Sequence, residues 1–336
     1  MLYEQLSNMN GLNSSDPDPG HAPITRILVT GAAGFIGSHT VDHLLEAGHS
    51  VMGIDNLRSG SLRNLAGAMN HPSFQFVEMD VLDGLRLGEA VARFVPESII
   101  HLAALVSVPE SISEPALNFC LNVEASFAVS EAARQYGARR VVFASSAAVY
   151  GDSGKLPLEE DGTLSPKSPY GAAKLASENI LLGHAAAYGF TVRIQRYFNV
   201  YGPRQDPNSP YSGVISVFDL GFRRGKNVLI YGDGLQTRDF IFVQDVARAN
   251  LLAAVGGGAG SGAANICTGH GSSILDLVGV FRRHFPDAPP AIEKPGRAGD
   301  IRHSVGDNRR ARRELGFEAK WSLDDGLGAV IRGRQE

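Results

Sequence analysis

Two cysteines, Cys120 and Cys267, are all that 336 residues contain, and they lie far apart in apolar surroundings. That scarcity excludes a disulfide framework and predicts two reduced, buried thiols. No apolar run approaches membrane-spanning length, and residues 1–20 lack the charged-then-apolar order of a secretory signal. A formal charge of −4 and the lack of a long basic block argue against nucleic acid as a partner. The one basic cluster, Arg309-Arg310-Ala311-Arg312-Arg313, is expected to be a solvated helix face. Neither membrane nor metal is an expected partner, and the expected compartment is the cytoplasm. What is present is an ordinary composition, 43% apolar and 20% charged, long enough to bury one large core or two lobes.

The chain is organised around Ile27-Leu28-Val29-Thr30-Gly31-Ala32-Ala33-Gly34-Phe35-Ile36-Gly37. A short apolar run reads as a buried strand, and three glycines at a spacing of three lead into a helix that stops at Gly48. Strand, glycine turn and helix form the context a dinucleotide loop requires. The glycines let the backbone approach a pyrophosphate whose charge rests on the helix N-terminus. A second strand over 50–54 ends in Asp55, followed by Asn56. A carboxylate there can bind both hydroxyls of an adenine ribose and repel a 2′-phosphate, which predicts NAD rather than NADP.

Residues 1–23 are polar and rich in turn formers, and are read as a flexible extension. From residue 24 strands and helices alternate. A strand over 74–78 leads to Asp80, which can hydrogen-bond an adenine amino group or cap the next helix. A strand over 98–102 is followed by Ala103 and Ala104, small enough for a phosphate to approach. The spacing predicts a long helix over 115–136, a strand over 140–144 ending in Ser145-Ser146, a helix over 170–188 and a strand over 191–196. Such alternation implies an α/β fold, a doubly wound parallel Rossmann sheet whose ligands sit at the strands' C-terminal ends. The expected organisation is a cofactor-binding domain over 24–196 and a smaller C-terminal α/β substrate lobe over 197–336. A turn-rich loop spans 202–210, helical patches fall near 214–222, 246–255 and 274–285, and chain at about 263–268 returns to the sheet.

Tyr170 and Lys174 are four apart, on one face of a helix. A phenol is a poor base at neutral pH, with a reference pKa near ~10, and a neighbouring ammonium together with a positive nicotinamide ring is expected to lower that value. Such a tyrosine can remove a hydroxyl proton as hydride leaves the same carbon, with Ser146 holding that hydroxyl.

Together the glycine loop, Asp55-Asn56, His101-Leu102-Ala103-Ala104, Ser145-Ser146-Ala147-Ala148-Val149-Tyr150-Gly151 and Tyr170-x-x-x-Lys174 resemble the extended short-chain dehydrogenase/reductases, the NAD-dependent epimerase/dehydratase family. Arg196-Tyr197-Phe198-Asn199-Val200-Tyr201-Gly202-Pro203-Arg204 and Tyr231-Gly232-Asp233-Gly234-x-x-Thr237-Arg238-Asp239-Phe240 carry the resemblance into the second lobe. Within the family the chain looks like the UDP-hexose 4-epimerase branch. Ala147 and Ala148 stand where dehydratases of the family carry an acidic pair.

The resemblance implies that Ser146, Tyr170 and Lys174 are catalytic. It implies NAD contacts from Gly31, Gly34, Phe35, Ile36, Gly37, Asp55, Asn56, Asp80, Val81, Leu102, Ala103, Ala104, Tyr170 and Lys174. Arg238, Arg297 and Asn199 would contact the diphosphate region, and Asp300 the uridine ribose; guanidinium suits phosphate oxygens. Val106 replaces the lysine that glucose-specific members usually carry, and Ser304 replaces a bulky aromatic. A small residue at 304 leaves room for a 2-acetamido group, which Ser107 and Gln205 can hydrogen-bond. The expected reaction is therefore interconversion of UDP-GlcNAc and UDP-GalNAc, with UDP-Glc and UDP-Gal as a further pair, by a homodimer. The rivals are a UDP-uronate epimerase or decarboxylase, a dehydrogenase releasing oxidised product, and a non-catalytic NAD-binding regulator.

Overall fold

The computed structural model describes residues 25–206, 213–256, 260–296 and 301–333. The expected extension over 1–23, the end of the loop over 202–210 and the positions Arg297 and Asp300 lie outside the described residues. In chain order the first half reads β1 (Arg26–Thr30), α1 (Phe35–Glu46), β2 (Ser50–Asp55), β3 (Phe74–Glu78), α2 (Gly84–Phe94), β4 (Ser98–His101), α3 (Val108–Ser113), α4 (Pro115–Phe119), α5 (Ala125–Tyr136), β5 (Arg140–Ser146), α6 (Pro169–Tyr188) and β6 (Thr191–Tyr197). The second half reads β7 (Asn199–Tyr201), α7 (Val214–Arg223), β8 (Leu229–Tyr231), β9 (Thr237–Arg238), β10 (Phe240–Phe242), α8 (Val243–Val255), β11 (Gly262–Ile266), β12 (Ser272–Ser273), α9 (Ile274–His284), β13 (Ile292–Lys294), β14 (His303–Ser304), α10 (Arg309–Leu315) and α11 (Leu323–Arg332).

Seven strands form one parallel sheet in the order β11-β6-β5-β4-β1-β2-β3. Its strands are apolar on both faces because helices cover both. Leu28, Met52, Ile99, Val141 and Val192 pack with Val91, Val129 and Leu181 on one side. Ile27, Val29, Val51, Ile100 and Val142 pack with Val41, Leu44, Ala253 and Ala254 on the other. The chain runs outward from β1 through β2 to β3, then returns to place β4 on β1's other side. The crevice between the ends of β1 and β4 is the switch point at which open α/β sheets bind ligands.

A second core forms beyond β6, where Phe218, Phe222 and Phe281 pack with Ile230, Leu277 and Leu327. The Phe222 and Phe281 rings stack 5.1 Å apart. This half also carries two short strand pairs, β7–β10 and β8–β13, and a three-stranded sheet, β12–β9–β14.

Three local expectations need correction. The long helix over 115–136 is α4 and α5 joined by a π turn at Cys120–Glu124. That turn leaves Cys120 only half-buried, whereas Cys267 is buried as expected; both thiols are free. The helix after β3 is capped by Asp83, whose side chain accepts from the Arg86 amide, and not by Asp80.

Candidate active site

Gly31 ends β1 at φ 69°, a left-handed conformation, and a Cβ there would lie 2.7 Å from the Ala103 amide nitrogen. A Cβ on Gly37 would stand 1.9 Å from the Gly31 carbonyl oxygen. Glycine at both positions therefore lets α1 and residues 102–103 close on the loop. The α1 N-cap, Gly34, contributes no side-chain bond, so the helix presents its first amides unblocked by a side chain.

Asp55 is buried at the end of β2. Its Oδ2 accepts from the Ala33 amide at 2.9 Å and its Oδ1 from the Leu57 amide at 2.8 Å. Burial pushes its carboxyl pKa up, and those amides pull it back down. Asn56 donates to Asp80 at 2.8 Å, and the other Asp80 oxygen accepts from the Leu82 amide, with Val81 buried between. An uncapped helix end behind a close-packed glycine turn, with a carboxylate at the next strand end, fits a dinucleotide.

His101 stands in a motif of the sequence, and its role becomes visible only in the fold. It bonds Thr30 Oγ1 through Nδ1 at 2.8 Å, while that oxygen accepts the Leu102 and Ala103 amides at 3.2 Å each. With both oxygen lone pairs occupied, the Thr30 hydroxyl donates to Nδ1 and leaves the proton of the neutral ring on Nε2. Burial lowers the ring's pKa to about 3, with Lys174 adding to the shift.

Ser146 lies at the end of β5, and Tyr170 and Lys174 lie in the first turns of α6. Ser168 caps this helix by accepting from the Gly171 amide at 3.1 Å. A Cβ on Gly171 would come 2.7 Å from the Ala148 carbonyl oxygen, so glycine lets the helix reach the strand end. Asn118 donates to the Pro169 carbonyl and Ser111 accepts from the Tyr170 amide, both from the α3–α4 segment.

The Ser146 side chain lies beside the Tyr170 phenol and favours its phenolate form. Lys174 is buried; its Nζ donates to the Ala144 carbonyl at 2.9 Å and stands 5.9 Å from the Tyr170 ring centroid. Desolvation lowers the lysine's pKa to about 7, against an opposing pull from Glu178. The expectation that Lys174 lowers the tyrosine's pKa is corrected for the protein alone: burial raises it, and Ser146 only partly offsets that.

On the lobe side, Ser304 of β14 pairs in parallel register with Arg238 of β9. Asn199 is exposed at the start of β7, two residues past the end of β6. Arg238 donates to the Thr237 carbonyl at 2.9 Å. Ser107 already serves as the N-cap of α3, accepting from the Glu110 amide at 3.0 Å, so only its hydroxyl proton is free of that role. Gln205 accepts from Ser216 at 2.9 Å.

Asp239, buried between Arg238 and Phe240, has no role that the sequence alone shows. It accepts from the Thr268 amide and hydroxyl and from the Gly269 amide, tying β9 and β10 to the segment after β11. Glu178, one helical turn beyond Lys174, forms a buried ion pair with Arg196, which the sequence shows only as part of a motif. The signal available was their charge at otherwise apolar, core-facing positions of α6 and β6.

The NAD dependent epimerase/dehydratase family profile matches residues 27–267. A UDP-glucose 4-epimerase from Mycolicibacterium smegmatis is 42% identical over 310 residues, covering 91% of this chain and 97% of that one. A crystal structure of a Thermotoga maritima UDP-glucose 4-epimerase with UDP-glucose superposes with a TM-score of 0.87 at 38% identity, covering 93% of this chain and 100% of the other. A UDP-N-acetylglucosamine 4-epimerase from Methanobrevibacter ruminantium, in complex with UDP-N-acetylmuramic acid, also gives 0.87, at 35% identity and 93% and 98% coverage.

Proposed function

Because the chain belongs to the NAD dependent epimerase/dehydratase family, we propose that it inverts C4 of UDP-hexoses, with UDP-GlcNAc and UDP-GalNAc as its preferred pair and UDP-Glc and UDP-Gal as the second. One observation carries the reading: Ser146 at the end of β5 beside the Tyr170 phenol, with Lys174 one helical turn on and bonded to the Ala144 carbonyl, next to a dinucleotide loop.

When bound, NAD supplies a hydride acceptor that can also return the hydride. Gly31, Gly34, Phe35, Ile36 and Gly37 hold its pyrophosphate side, Asp55 and Asn56 its adenine ribose, Asp80 and Val81 its adenine, and residues 102–104 its phosphates. Ser146 holds the sugar's 4-hydroxyl, and the Tyr170 oxygen takes that hydroxyl's proton and later gives it back. Lys174 has two ammonium protons beyond the one it gives Ala144, and these favour the phenolate. Arg238, Arg297 and Asn199 grip the diphosphate and Asp300 the uridine ribose, while the 4-keto sugar turns over between the two proton transfers. Residues 24–196 form the cofactor domain and 197–336 mainly the substrate lobe.

The second-pocket assignment rests on Ser304, a small side chain beside Arg238, with Ser107 and Gln205 for the acetamido group. A homodimer through α5 and α6 is supported by Phe127 and Tyr188, 48% and 54% exposed and joined across His184. Incubation with a panel of UDP-sugars, products resolved by NMR, tests the function. Epimers with no net NADH and no CO2 are expected; NADH or CO2 would replace the epimerase by an oxidoreductase or decarboxylase.

A further inference from the structure

We propose that Glu178 and Arg196 are positioning residues for this reaction, holding the end of β5 against α6 so that Ser146, Tyr170 and Lys174 keep one geometry. The proposal rests on the epimerase reading above.

Two bonds join the strand end to the helix. Lys174 donates to the Ala144 carbonyl, and the Ser145 hydroxyl donates to Glu178 Oε1. Ala144 and Ser145 immediately precede Ser146, so these bonds set where the serine hydroxyl meets the phenol. Glu178 is itself fixed from β6: Arg196 Nε donates to Oε1 at 3.0 Å and a terminal guanidinium nitrogen to Oε2 at 2.7 Å. The other terminal nitrogen donates to the Tyr150 hydroxyl and the Glu160 carbonyl, 3.0 Å each. Tyr150 in turn donates to Asn265, which donates to the carbonyls of Leu158 and Asp307. The clamp thus continues to the segment that follows Ser304.

The charges point the same way. The ionisable groups around Lys174 are Tyr170 and Glu178 on its own helix, His101 on β4, and Arg196 on β6 behind Glu178. His101 is neutral. With Lys174 protonated, two cations face one carboxylate here, and a phenolate at Tyr170 balances the excess positive charge. Glu178 opposes the loss of the Lys174 proton on burial, and Arg196 holds Glu178 in place for that role.

The test uses the full-length protein with Glu178→Gln, which removes the charge, and Ser145→Ala, which removes one bond and leaves the ion pair. The readouts are kcat and KM for UDP-GlcNAc, and the tyrosinate absorbance titration of Tyr170 taken as the difference from Tyr170→Phe. In both variants kcat is expected to fall about tenfold or more with KM unchanged. The tyrosinate midpoint is expected to rise, by about one pH unit in Glu178→Gln, because Lys174 then loses its proton at lower pH. Should Glu178→Gln not fold, Ser145→Ala alone decides. Wild-type kcat and an unmoved midpoint would overturn the positioning role even where the epimerase reading holds. A shifted midpoint in a protein that turns over no UDP-sugar would support the positioning role and sink the epimerase reading instead.

Discussion

Tyr170 sits where two opposing effects meet, a half-buried site that resists a phenolate and a neighbouring serine that favours one. Replacing it with phenylalanine removes the proton acceptor and little volume. Tyr170→Phe is expected to cut kcat by about 10³-fold with folding intact, read by NMR of UDP-GlcNAc turnover against circular dichroism. Lys174 gives a complementary test. Its folded pKa of about 7 lies below the ordinary lysine value, so a protonated Lys174 costs stability at pH values below about 7 and the cost fades as pH rises toward the unfolded value. Lys174→Met is therefore expected to raise Tm at pH 6 while abolishing turnover, a trade of stability for activity. At the other end of the substrate, Ser304→Tyr is expected to abolish turnover of the acetamido sugars and spare UDP-Glc. Equal loss of both would refute the pocket assignment.

At the scale of elements, catalytic geometry depends on how closely backbones approach. The turn from β1 into α1 has no room for one methyl group at Gly37, because the nearest obstacle is the Gly31 carbonyl oxygen and not a movable side chain. Gly37→Ala is expected to release NAD and lower Tm, measured as nucleotide content of the purified protein and by calorimetry. Retention of stoichiometric NAD would refute this account of the loop. The Tyr170 helix is legible in sequence through its Ser168-Pro169 start, since serine caps and proline tolerates the first turn. The π turn at Cys120–Glu124 is not legible. It adds a residue to a turn that otherwise has helical spacing, and the buried Asn118 and Asn122 that stabilise it read as ordinary polar helix positions.

Across the whole molecule, buried histidines give the fold an acid limit. Burial lowers His101 to about 3 and His39 to about 4, both below the ordinary histidine value of 6.5. Between those values and 6.5 the unfolded chain binds more protons, so their contribution is complete above pH 6.5 and is lost as pH falls through that window. Asp55, Glu160 and Asp239, whose pKa values are raised, act in the opposite direction. A comparison therefore isolates the histidine term. His101→Asn, which can still accept from Thr30, is expected to show a shallower fall of Tm from pH 6.5 to 4 than the unchanged protein. Parallel slopes would refute it.

What the residues alone determined was everything written in local spacing: a strand–glycine–helix turn, a carboxylate at the next strand end, a tyrosine and lysine one turn apart, and the alternation that implies a doubly wound sheet. Backbone conformation and helical period are short-range properties, so a dozen consecutive residues suffice to show them. The tertiary structure decided what depends on partners distant in the chain. Glu178 meets Arg196 across 18 residues and Tyr150 meets Asn265 across 115. The sign of the Tyr170 shift belongs here too, because desolvation is set by which segments close around a group and not by its neighbours in sequence.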